Sequence, residues 1–246
     1  MSNRLTEAGE LLRDEGISGF LRRVGESLHC RYVRPHLPRR IARYNGFRVR
    51  APRLFDSLLR SERFRRPSYE SGIIDSLESR VQPGDEVVIV GGGLGVSAVA
   101  AAKRAGHRGR VTVFEGASEL VTRIRETAEL NGVSDRIEVH HAIVGPGIHL
   151  RGAADEVARI PPEELPACDV LELDCEGAEL AILDALDIAP RVLIVETHGL
   201  FDAPTTTVRD SIVENGYVVI AEVIADEDLI DICISDDIFV ITAVDI

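Results

Sequence analysis

From residue 69 onward, short apolar runs alternate with stretches whose apolar residues recur every three or four positions. EVVIV (86–90) is a β-branched apolar run and predicts a buried strand. Further strands are predicted at 110–116 (RVTVFEG), 136–145, 169–174 (DVLELD) and 191–199. GIIDSLESRV (72–81) predicts an amphipathic helix that Pro83-Gly84 stops. Helices follow at 95–105, 117–132, 175–186 and 205–216. The second of these has Leu120, Val121, Ile124, Ala128 and Leu130 on its apolar side and closes at Asn131-Gly132. Residues 146–168, with Pro146, Pro161, Pro162 and Pro166, predict irregular chain. Two late strands, 217–224 and 236–244, read as antiparallel neighbours. Repeated strand–helix alternation predicts an α/β fold with a doubly wound, mostly parallel sheet, whose ligands bind at the carboxyl ends of the strands.

Residues 1–68 have a different pattern. Ile17, Phe20, Leu21, Val24 and Leu28 fall at helical spacing within 3–33, which predicts one or two helices covering the core domain. RPHLP (34–38) breaks that helix. Residues 41–52 alternate around Asn45-Gly46, a hairpin signal. Arg60, Arg63, Arg65 and Arg66 then form a basic patch. The chain therefore divides into a helical and hairpin extension at 1–68 and a main domain at 69–246.

Composition adds three constraints. The hydrophobic share of 45% suffices for a full core, and the longest apolar run, Val87–Ala102, is too short and glycine-rich to span a membrane. Cys30, Cys168, Cys175 and Cys233 show no paired spacing, so neither a zinc site nor a disulfide framework is suggested. With no apolar signal core at the N-terminus, these thiols lead to the expectation of a cytoplasmic protein. The net charge of −13 is unevenly placed: residues 1–70 hold 16 arginines against 8 acids, the remainder 12 basic residues against 33 acids. Lys103 is the only lysine. An acidic body with arginine in place of lysine is the pattern of a salt-loving source, where salt screens surface charge. The basic arm has few aromatics for base stacking, which disfavours a nucleic-acid partner.

The candidate chemistry gathers at the predicted strand ends. Gly91, Gly92, Gly93 and Gly95 follow the first main-domain strand, and glycine permits a tight turn and close ligand approach. A dinucleotide fingerprint requires G-x-G-x-x-G, but Val96 stands at its third glycine, and G-x-G-x-G fits an S-adenosylmethionine turn better. Glu115 ends the second main-domain strand, placed to accept both ribose hydroxyls of a nucleoside. Asp174 and Glu176 lie in DCEGAE, and their carboxylates complement a sulfonium and its ammonium group. Glu196 and His198 end the fifth main-domain strand. His140 and His141 alternate sides of the third and receive no role. No metal-ligand set is evident, although Asp174, Glu176 and His198 converge if their strand ends meet.

The segments VVIVGGGLGVSAV, VFEGASELV, DVLELDCEGAELAIL and RVLIVETHG together resemble the FkbM family of class I S-adenosylmethionine-dependent methyltransferases over about 69–244. DCEGAE resembles its D-x-E-G-x-E and the segment ending in His198 its E-x-H strand end. The resemblance implies a seven-stranded Rossmann-like methyltransferase sheet with a reversed last strand. It implies S-adenosylmethionine as cofactor, held by Gly91, Gly93, Gly95, Glu115, Ala142, Ile143, Asp174 and Glu70. Asp174 and His198 become the catalytic pair, and Glu176, Glu196 and Tyr69 the acceptor side. The implied acceptor is a hydroxyl on a glycan or small polar metabolite. Three positions depart from the pattern: Ile89 stands where the family has Asp, Gly93 where it has Asn, and Glu172 where Lys often precedes the motif. An RNA methyltransferase using the arginine-rich arm and a non-catalytic binding module remain as alternatives. Oligomeric state has no sequence signal here.

Overall fold

The computed structural model describes Val33 and residues 36–50, 65–145 and 157–245. The chain forms two compact units, Met1–Ile41 with Ala51–Phe64 and Ala42–Arg50 with Arg65–Ile246. The second carries all the candidate site residues. The predicted helical stretch at 3–33 lies, but for Val33, outside the described residues, as do Arg60 and Arg63.

Asn45 and Gly46 both take positive φ, 45° and 80°, as a two-residue hairpin turn demands. They join β1 (Ala42–Tyr44) to β2 (Phe47–Val49), with Tyr44 opposite Phe47. A two-residue strand, β3 (Arg65–Arg66), pairs parallel with β1.

The main sheet comprises β4 (Glu86–Val90), β5 (Arg110–Glu115), β6 (Ile137–Val144), β7 (Ala158–Ile160), β8 (Val170–Leu173), β9 (Val192–Glu196), β10 (Val218–Ile224) and β11 (Phe239–Val244). Their order is β10-β11-β9-β8-β4-β5-β6-β7. Strand β11 runs antiparallel to both neighbours, while the pairings from β9 to β7 are parallel. The reversed last strand is therefore present, but the sheet has eight strands rather than seven. The extra strand, β7, falls in the stretch read as irregular. Three residues near prolines carry no periodic signal, and pairing along Ala142–Val144 is what makes them a strand.

Both faces are covered, which explains the unbroken apolar runs of the central strands. One face packs α1 (Ser71–Arg80), α2 (Val96–Ala105) and α3 (Ser118–Asn131) through Ile73, Leu77, Ala98, Ala101 and Ile124. The other packs α4 (Glu179–Asp184) and α5 (Thr205–Glu214) through Ile182, Leu183, Val208 and Ile212. Two local readings change. Helix α4 starts at Glu179, not Cys175, because Glu176 and Gly177 take positive φ, 49° and 105°, and leave the helical region. A further helix, α6 (Ile230–Asp236), was not expected, because Ile230, Ile232 and Ile234 recur with strand-like period two. All three are exposed. Among the described residues no helix is long and apolar enough to cross a membrane.

Candidate active site

The carboxyl ends of β4, β5, β8 and β9 and the N-termini of α1 and α2 come together at one end of the sheet. Its frame is the glycine turn. Gly91 (φ 94°) lies so close to β8 that a Cβ there would stand 1.7 Å from the carbonyl oxygen of Asp174. Gly95 (φ 81°) packs on α3, where a Cβ would meet Ile124 Cα at 2.8 Å. These two glycines hold the turn against the sheet and helix. Gly93 (φ 50°) differs: the only atom near its missing Cβ is Glu70 Oε1, at 3.7 Å.

Glu115 is buried at the tip of β5 and folds onto this turn. Its carboxylate accepts hydrogen bonds from the amides of Gly93 (3.2 Å) and Ala117 (2.8 Å). Burial pushes its pKa up, those amide bonds oppose the shift, and the charge of Glu176 adds to it. The structure thus puts Glu176 within electrostatic reach of Glu115. Ala142 and Ile143 are buried on β6, the strand beyond β5.

The second half of the site is a carboxylate cluster around one histidine. His198 Nε2 lies 3.5 Å from both Asp174 Oδ1 and Glu196 Oε1. Its Nδ1 donates to Glu179 Oε1 at 2.9 Å. Glu179 is fully buried, and its carboxylate also accepts from the amides of Cys175 (3.1 Å) and Gly177 (2.8 Å). One side chain therefore ties the DCEGAE turn to the end of β9. Burial alone would lower the His198 pKa. The bond to Glu179 and the neighbouring Glu196 and Asp174 outweigh it and raise the pKa to about 11. Asp174 is pushed well above the usual carboxylate range by burial and by Glu196, against the pull of His198.

Glu70 and Tyr69 enter from the start of α1. Glu70 has φ 48°, and its amide donates to Asp226 Oδ2 at 3.3 Å. Asp226 also pairs with Arg66 (2.5 Å), whose guanidinium lies 4.6 Å from the Tyr69 ring centroid. This latch fixes the left-handed turn that brings Glu70 to Gly93. Burial raises the Glu70 pKa to about 8; the Tyr69 hydroxyl opposes the shift, and Glu196 and Asp226 add to it.

Glu172 lies deepest. It sits between Ile89 and Ile194 in the parallel register and is 1% exposed. Ser97 is beside it, but neither carboxyl oxygen has a well-formed hydrogen bond. Burial, then the charges of Glu70 and Glu196, push its pKa well above the usual range.

Glu179 and Glu172 are the two residues the sequence analysis left without a site role. Glu179 was legible as the last letter of DCEGAE, but its partner His198 lies 19 residues on, across the fold. The geometry also joins Glu196, not Glu176, to Asp174 and His198.

No protein-family model matches the chain, and no curated protein does. Solved structures match in fold. A ribosomal protein L11 methylase from Lactobacillus delbrueckii subsp. bulgaricus superposes with a TM-score of 0.50, 16% identity, and 72% of this chain on 78% of that one. A Pyrococcus horikoshii protein described as a transferase gives a TM-score of 0.50, 12% identity, and 82% of this chain on 69% of that one. The fold is the Rossmann-like methyltransferase fold.

The crowded carboxyls give stability a defined pH dependence. Between pH 4.5, the ordinary value for Glu70, and about 8, the unfolded chain has lost this proton while the folded chain keeps it. The folded state then binds more protons, so stability falls as pH rises. His198 has the same sign: its contribution is complete below 6.5 and is lost as pH rises toward about 11. In chelator-containing buffer the thermal midpoint is expected to fall between pH 5 and pH 9, with a shallower slope in Glu70→Gln. A midpoint that climbs across this range would overturn the assignment.

Proposed function

We propose that the chain is an S-adenosylmethionine-dependent methyltransferase of the FkbM family, cytoplasmic and from a salt-loving source, acting on a hydroxyl of a glycan or small polar metabolite. The observation that carries this reading is the position of Glu115. An acid at the tip of β5 rests against the amide of Gly93, beside a carboxylate-lined pocket at the strand ends of a methyltransferase-type sheet. The pocket suits a cationic ligand. The open side of Gly93 leaves backbone bare for it; Glu196 complements positive charge, and Glu70, Glu172 and Asp174, whose pKa values are raised by burial and crowding, give up their protons when a cation enters.

In this reading Glu115 exchanges its amide bonds for the two ribose hydroxyls, and the glycine turn receives the methionine portion. S-Adenosylmethionine supplies, when bound, an electrophilic methyl group on sulfur. The chain's own task is then mainly alignment. Asp174 and His198 stand at the acceptor side, where the hydroxyl proton must go. His198 is held as a cation by three carboxylates and orients them. Asp174, whose proton is displaced when positive charge enters the pocket, is the proton acceptor. Tyr69, Glu176 and Glu196 line the acceptor side.

Calorimetry of the full-length protein with S-adenosylmethionine and S-adenosylhomocysteine tests this. Both are expected to bind, and Glu115→Ala to weaken binding about 100-fold, from the loss of two charged hydrogen bonds worth ~1.5 kcal/mol or more each. Absence of binding at saturating cofactor would sink the methyltransferase reading. Unchanged affinity in a folded Glu115→Ala protein would sink the ribose assignment.

A further inference from the structure

We propose that Asp174, Glu196 and His198 form a divalent-cation site of manganese type at the acceptor end of the pocket. The three donate one imidazole nitrogen and two carboxylate oxygens, all within 4.8 Å of one another. Two observations distinguish this set from an ordinary acidic cluster.

The first is spacing. His198 Nε2 stands 3.5 Å from each carboxylate oxygen. That exceeds the 2.7–3.2 Å typical of a good N–H···O bond. It agrees with the roughly 3–3.5 Å that separates neighbouring ligands when each lies about 2.1 Å from a shared ion. The Nδ1 bond to buried Glu179 explains how this geometry is set. With the proton on Nδ1 held by Glu179, an entering ion takes the place of the Nε2 proton, which leaves to solvent, and the Nε2 lone pair then faces the ion beside the two carboxylates. A buried carboxylate behind the ligating histidine is the usual way of fixing tautomer and ring orientation at a metal.

The second is Glu172. It lies on the same face of β8 as Asp174, one pleat repeat deeper, where strand alternation also puts Ile194 and Glu196 of β9. Both its carboxyl oxygens are buried, and although Ser97 is beside them neither makes a well-formed hydrogen bond. A buried carboxyl so placed is costly unless a cation lies near it, and an ion between Asp174 and Glu196 supplies one. A mixed nitrogen and oxygen donor set suits manganese or zinc better than magnesium, which prefers oxygen alone. With three protein ligands the ion keeps open positions, and an acceptor oxygen bound there would be polarised. This role rests on the methyl-transfer reading; the site itself does not.

The test titrates chelator-treated full-length protein with Mn²⁺, followed by calorimetry and by loss of the free-Mn²⁺ electron paramagnetic resonance signal. One ion per chain is expected. Binding should weaken at least tenfold in Glu196→Gln and vanish in His198→Ala, with circular dichroism confirming that both are folded. Glu176→Gln should bind as the wild type does, and Zn²⁺ should displace Mn²⁺ more effectively than Mg²⁺. The site is refuted by a lack of saturable binding at millimolar Mn²⁺ or Zn²⁺, by binding that survives in folded Glu196→Gln and His198→Ala, or by equal loss in Glu176→Gln. Cofactor binding measured on the same sample separates the two readings. Protein that binds S-adenosylmethionine but no metal refutes only the ion site; metal bound without cofactor affinity supports the site and refutes the methyl-transfer reading.

Discussion

Glu179→Ala is expected to lower the free energy of unfolding by about 4 kcal/mol, from one buried donor and two half-buried ones, each stranded at ~1–3 kcal/mol with the half-buried pair at the low end. The donors are the amides of Cys175 and Gly177 and Nδ1 of His198. A loss of that size is a large share of the ~5–15 kcal/mol typical of a whole domain. It should appear in urea melts as a lower midpoint with an unchanged slope. Glu179→Gln keeps one acceptor oxygen and should recover part of the loss. The His198 pKa gives an independent reading. Its largest upward contribution is the bond to Glu179, so proton titration followed by NMR should find it well below about 11 in the alanine variant. A Glu179→Ala protein as stable as the wild type, with His198 unmoved, would show that the carboxylate does not tie the two strand ends together.

Gly91→Ala is expected to cost about 2–5 kcal/mol, through two additive causes. The residue has φ 94°, which an L side chain adopts only with strain of ~1–2 kcal/mol. The added methyl would also press on the Asp174 carbonyl, a backbone atom that cannot swing aside, and overpacking of this kind costs ~1–3 kcal/mol. Relief requires β4 and β8 to separate at their carboxyl ends, so cofactor affinity should fall with stability. Gly93→Asn is the control. Its φ of 50° lies where asparagine is tolerated, and the Cβ site is open apart from Glu70 Oε1 at 3.7 Å. Stability is expected to change by less than about 1 kcal/mol. Chemical denaturation of both variants decides the matter: equal losses would mean that the turn is not pinned at Gly91.

Much of this architecture is legible along the chain because the central strands are buried on both sides. A run such as EVVIV is uninterrupted, and the glycines and acids that follow it mark its end. Asn45-Gly46 is equally plain, since the turn requires two positive φ values that few other pairs supply. Strands β3 and β7 were not legible. Two or three residues have no periodicity, and only their pairing partners define them. The stretch containing α6 alternates like a strand, yet it lies outside the sheet and turns into a helix. The site divides in the same way. Gly91, Glu115, Asp174 and His198 are conspicuous by residue type at strand ends. Glu179 looks like an ordinary acid in a first helical turn until the fold delivers His198 to it. Glu172 looks like a misfit in a motif, because nothing nearby in sequence reveals that its neighbours are Ile89 and Ile194.

The pairing of Ile89 with Glu172 changes the meaning of the two departures at those positions. Taken letter by letter, the chain has exchanged an acid for an isoleucine on one strand and a base for an acid on the next. Taken as a surface, the carboxyl now stands one strand spacing, ~4.8 Å, to the side within the same layer, and no base stands beside it. Resemblance scored column by column counts two losses there. An acid and a base side by side sum to zero, whereas isoleucine and glutamate sum to one negative charge, and burial with Glu70 and Glu196 close by holds a proton on that carboxyl until a cation enters, so the preference for cations is kept in reserve.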